Sequence, residues 1–123
     1  MGAESFMEIR KGKNAQEVFD RLVEDAQWDH GHAGYTGTIA EKSEFLEFSR
    51  PKGMSRDSVI KMVDRLDSIR FLTDGQPDVE ALQALYPKFD MLKVYKTYDN
   101  KWGPALCIEL PNKEYLFAGW ASS

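Results

Sequence analysis

Gly31, Gly34 and Gly37 recur every third residue directly behind an amphipathic run, and this junction constrains the fold more than any other feature of the chain. Ala15, Val18, Phe19, Leu22, Val23 and Ala26 fall at helical spacing and predict one buried stripe. Glu17, Asp20, Arg21, Glu24 and Asp25 occupy the opposite, wet side. Asn14 opens the helix with Glu17 three residues later, the arrangement of a capping box. The helix is expected to stop near Trp28 or His30, where Gly31 can take the left-handed geometry that ends helices.

The rest of the chain divides around this junction. Phe6 to Arg10 reads as a short first strand, with Met1 to Phe6 an expression remnant and native sequence starting at Met7. Thr38 to Lys42 and Glu44 to Phe48 read as strands. Ser55 caps a second helix bearing Val59, Val63 and Leu66 on one face. Pro77 is expected at the first position of a third helix, which runs to Tyr86 and is ended by Pro87. Leu92 to Tyr98, Pro104 to Leu110 and Tyr115 to Trp120 are β-rich and read as a C-terminal three-stranded meander. Helices and hairpins are segregated without βαβ alternation. The expected fold is therefore α+β, an antiparallel sheet with that meander packed against about three helices. No repeat or linker interrupts the 123 residues, which read as a single domain.

Composition narrows the function classes. With 42% hydrophobic and 12% aromatic residues the chain can bury a core. It has neither a bilayer-length apolar run nor the pattern of a secretory signal. Cys107 is the sole cysteine, so no intramolecular disulfide or cysteine zinc cluster can form. It lies in the apolar run Ala105 to Leu110, reads as a buried structural thiol, and favours a cytoplasmic protein. Residues 1–50 hold 6 basic and 10 acidic side chains, a balance of −4, whereas residues 51–123 are neutral. That acidic half argues against duplex nucleic acid and anionic membranes as partners.

The chemistry-bearing stretch is Asp29 to Lys42. Its glycines allow a tight, partly left-handed backbone whose amides can line a concave site, and the histidines, tyrosine and threonines add donors and acceptors. A nucleotide fingerprint is excluded, because such glycines open a helix and these close one. Asp29, His30 and His32 suggest a metal cluster, with Glu41 or Glu44 approaching later. They are the only two histidines, however, and no third ligand stands at the spacing of known histidine sites, so no metal or cofactor is expected. Acid/base work by His30 and His32 with Glu41 as helper gives an alternative, a small histidine-dependent or metal-dependent hydrolase or nuclease. The ordinary alternative makes the stretch a helix-terminating turn and nothing more.

Trp102 falls in a turn and reads as an exposed anchor, whereas Tyr95, Tyr98, Tyr115 and Trp120 are as well explained by packing. Arg50, Lys52 and Arg56 flank Pro51 and Gly53 in one short loop and could clamp an anion. The run His30-Gly31-His32-Ala33-Gly34-Tyr35-Thr36-Gly37-Thr38-Ile39, set after an amphipathic helix, resembles a pattern in small uncharacterised bacteriophage-encoded proteins. The resemblance covers residues 15–42 and implies an accessory role, blocking a host protein or sequestering a small signalling molecule. The expectation is thus a non-enzymatic accessory protein, alone or as a homo-oligomer. It would bind a host protein or a small anionic, nucleotide-like ligand through His30, His32, Tyr35, Thr36, Thr38 and Trp102.

Overall fold

The helical stripe read from the sequence is realised as α1, Ala15–His30, which buries Ala15, Val18, Phe19 and Leu22. Asn14 caps it, its side chain accepting from the Glu17 amide at 2.9 Å. Gly31, at φ 83°, closes it by donating its N–H to the Gln27 carbonyl at 2.7 Å. These elements belong to a computed structural model that describes residues 2–31 and 34–123, with only the backbone of Arg70 and Phe71.

Four strands form the main sheet: β1 (Ala3–Lys11), β2 (Phe45–Phe48), β5 (Ala105–Leu110) and β6 (Glu114–Ser122). Their order is β1-β6-β5-β2. The two neighbouring pairs β1–β6 and β6–β5 are antiparallel, whereas β2 runs parallel to β5. The sheet is therefore mixed, which corrects the expectation of an antiparallel one. β1 reaches back to Ala3, so residues 3–6 pair with Ser122 to Gly119 as part of the sheet.

Between β2 and β5 the chain crosses over through α2 (Arg56–Leu66), a two-residue hairpin β3 (Arg70–Phe71) and β4 (Pro77–Asp78), then α3 (Glu80–Leu85) and α4 (Met91–Asp99). The expected C-terminal meander is absent because its first member, Leu92 to Tyr98, is α4. Val94, Tyr95, Thr97 and Tyr98 favour strands locally. Met91, Val94, Tyr95 and Tyr98 nonetheless sit at helical spacing and are buried together, and the Asp90 side chain caps the helix by accepting from the Lys93 amide. Tertiary burial overrides propensity here. Pro77 pairs with Phe71 in the hairpin, so α3 begins only at Glu80. Thr38 to Lys42 is no strand either. Thr38 caps a 3-10 turn over Ile39–Glu41.

Both faces of β5 and β6 are covered, which explains their near-continuous apolar runs. Ala105, Cys107, Tyr115 and Phe117 face α1, Phe19 and Ile39. Leu106, Ile108, Leu110, Leu116 and Ala118 face the layer of α2, α3 and α4. Cys107 is fully buried, and that burial, with the charges of Glu47 and Glu109, raises its thiol pKa. No described helix is long and apolar enough to cross a membrane.

Candidate functional site

α1 starts beside the junction of β1's end and β6's start, and runs back toward the opposite end of the sheet. That end gathers four segments. Gly2 and Ser123 exchange backbone hydrogen bonds at 3.0 and 3.1 Å, and Gly37 donates its N–H to the Ser122 carbonyl at 2.7 Å. Lys42 reaches across to the turn before β5, donating from Nζ to the carbonyls of Asn100 and Gly103 at 3.0 and 3.1 Å. Position 37 requires glycine twice over. Its φ is +71°, and an added Cβ would stand 2.7 Å from Glu4 Oε2 and 3.2 Å from Glu4 Cβ.

Glu41 organises the loop from within. Its Oε2 accepts from the Thr36 amide at 3.1 Å and from the Thr36 hydroxyl at 2.8 Å. The Thr36 hydroxyl has only one proton to give, so in the 2.8 Å contact between the two threonines it is Thr38 that donates. Thr38 Oγ1 in turn accepts from the Ala40 amide at 3.2 Å. Burial works to raise the Glu41 pKa, but the Thr36 amide and hydroxyl, the Tyr35 amide and the Ser122 hydroxyl outweigh it and hold it below the ordinary 4.5. The donors of the turn are thus taken up by the chain's own carboxylate.

The six residues expected to bind ligand therefore separate. Thr36 and Thr38 are engaged in the Glu41 network. His30 ends α1 with its side chain exposed. His32 lies outside the described residues. Tyr35 is 60% exposed and Trp102 70% exposed. Tyr35 also holds a positive φ of 57°, uncommon for a bulky residue. The Trp102 amide donates to Asn100 Oδ1 at 3.0 Å, which fixes the turn. The Lys101 ammonium lies 5.1 Å from the Trp102 ring centroid.

Two residues escaped sequence reasoning. Trp28, in the last turn of α1, is 89% exposed. The signal was available, since position 28 continues the polar row of Arg21 and Glu24 and lies off the apolar stripe. Lys42 is 3% exposed, and burial lowers its pKa to about 8. Nothing in its local sequence marks it as a buried strut. Replacing it with methionine is expected to cost about 1 kcal/mol at neutral pH, as two carbonyls lose a donor while a buried charge is relieved. Below about pH 8 the lysine is protonated in both folded and unfolded chains; between there and its ordinary 10.5 the folded state has lost the proton first. The stability gap between wild type and Lys42→Met, measured by urea titration, is therefore expected to widen as pH rises through that window. A gap that narrows would exclude a buried charged lysine.

Among the described residues no group of three or more His, Cys, Asp or Glu is placed to hold a metal ion. The basic trio does not converge. Arg56 pairs with Glu114 at 2.9 Å and Arg50 donates to the Met54 carbonyl at 2.6 Å. Lys52 instead lines an open hollow of about 370 Å³ with Met54, Ser58, Tyr86, Lys88 and Phe89, beyond the far end of the sheet. Compared with known protein families, curated proteins and solved structures, the chain matches none.

Proposed function

We propose that this chain is a non-catalytic binding protein that captures a partner protein through the end of the sheet where α1, the 34–42 turn and the 100–103 turn meet. The observation that carries this reading is the exposure of Trp28, Tyr35 and Trp102, each on one of the three segments that meet there. Large, stiff aromatic rings supply contact area at small entropic cost and dominate the energetics of protein interfaces. The internal Glu41 network holds the backbone of the turn in place, which reduces the ordering a partner would have to impose. Sequestration of a small anion is the weaker form of the idea, because Glu41 already takes the Thr36 donors. An accessory protein of the phage kind, acting in the cytoplasm, would cover a host protein with such a face.

The test is site-directed photo-crosslinking in cells. A crosslinker at position 28, 35 or 102 is expected to trap one discrete protein that a crosslinker at position 52 or 88 does not. In the Tyr35→Ala/Trp102→Ala chain, affinity for that protein is expected to drop at least about 30-fold with the folded content unchanged. Equal trapping from both ends, or undiminished affinity in the double variant, would remove the proposal.

A further inference from the structure

β1 forms an outer edge of the sheet, and no other described strand lies beyond it. It is nine residues long, has no proline, and keeps an unbroken register with β6. Its outward-facing groups can be named. Gly2 and Ser123 exchange both backbone bonds, and Gly12 donates to the Lys113 carbonyl at 3.1 Å. In an antiparallel ladder such pairs alternate, so the even-numbered residues of β1 bond to β6. The odd ones, Ala3, Ser5, Met7, Ile9 and Lys11, turn their N–H and C=O outward.

Such an edge invites another strand unless something guards it. The guard here is a set of charges, and their order selects one partner. Glu4, Glu8 and Arg10 share the face toward α1, where Arg10 pairs with Asp25 at 2.5 Å. A second copy of β1 can add antiparallel only with odd residues opposite odd ones, since only those carry free groups. Centred on Phe6, that pairing sets Glu4 against Glu8 of the second copy. Centred on Glu8, it sets Glu8 against itself, and centred on Ile9 it sets Glu8 opposite Arg10 but overlaps only residues 7–11 of the strand. Centred on Met7, it sets Glu4 opposite Arg10 twice, Phe6 opposite Glu8, Ser5 opposite Ile9 and Met7 opposite Met7, with all nine residues in register and no like charges facing. From this we infer that the chain forms a two-fold dimer by pairing β1 with β1 about Met7, joining the two four-stranded sheets into one of eight strands.

The expected result is a dimer of twice 14.1 kDa in analytical ultracentrifugation of the intact chain. Backbone amides of Ser5, Met7 and Ile9 would be protected from hydrogen exchange in the dimer and exposed on dilution. Those of Phe6 and Glu8 would stay protected in both states. Glu4→Arg alone and Arg10→Glu alone would each weaken self-association about tenfold by setting like charges opposite one another. Mixing the two variants would restore it, because each new charge then meets its opposite. Both positions are exposed or half-buried, so the fold survives either change. A chain that stays monomeric, a dimer whose odd-numbered β1 amides exchange freely, or a mixture no tighter than the separate variants would overturn the inference.

Discussion

Replacing Phe117 by alanine is expected to remove about 3–5 kcal/mol of stability, the largest single effect in the molecule. Its ring is fully buried between α1 and the sheet. The centroid lies 5.6 Å from that of Phe19 and 5.4 Å from that of Phe45, the latter edge-on at 88°. Phe19 and Phe45 meet each other at 5.1 Å, so the three rings close a triangle that joins helix, edge strand and central strand. Alanine leaves a cavity that none of the three elements can collapse into without losing its own contacts. Domains of this kind hold only about 5–15 kcal/mol in total, so the variant would lie close to its unfolding midpoint. Leucine at the same position keeps most of the volume and is expected to cost about 1–2 kcal/mol. Urea midpoints of the two variants check the prediction, and equal midpoints would show that the ring triangle carries no special weight.

The second large effect is at Glu41. Alanine there strips the Thr36 amide and hydroxyl of their acceptor, and charge-assisted bonds at a half-buried site are worth about 1–3 kcal/mol together. The loss is expected to be local. Proteolysis and hydrogen exchange would accelerate over residues 34–42 while α1 and the sheet keep their protection. The pH dependence follows from the lowered pKa. On acidification the unfolded carboxyl takes its proton near 4.5, before the folded one does. The stabilisation by Glu41 is therefore complete above that value and disappears as pH falls through the folded pKa. Wild type and Glu41→Ala are expected to differ fully at neutral pH and to converge in acid. A difference that is the same at neutral pH and in strong acid would mean that the carboxylate is not the organising group.

Local signals were legible in the sequence and long-range ones were not. The stripe of α1, its Asn14 cap and its Gly31 stop each depend on residues within a turn or two, and each stands where the spacing places it. The Ser55 cap of α2 is equally local, accepting from the Ser58 amide at 3.1 Å. Strand order depends on contacts between distant segments, so the parallel β2–β5 pairing could not be read from β2 alone. A hint lay in the unbroken apolar runs Ala105 to Ile108 and Tyr115 to Ala118, since a sheet wetted on one side would alternate. In α4 the strand-favouring residue types mask a helical spacing that burial of Met91, Val94, Tyr95 and Tyr98 makes decisive. At the candidate site, the glycines announced a turn, and Gly34 and Gly37 do take positive φ there. That Glu41, four residues past Gly37, would hold Thr36 needed the 3-10 turn, and the role of Lys42 needed the turn from Asn100 to Gly103 brought beside it.

The order of strands also sets when the protein can form. β1 pairs with β6, the first strand with the last, and β2 waits for β5 across the whole helical crossover. A nascent chain can wind α1 early, because every contact within a helix is local. Its apolar stripe, however, finds the surface that covers it only after Tyr115 and Phe117 have left the ribosome. Until then Phe19 and Leu22 stay open to water, or to a chaperone. Topologies dominated by such distant pairings fold slowly for their size. The sheet is therefore expected to close only once β6 has emerged.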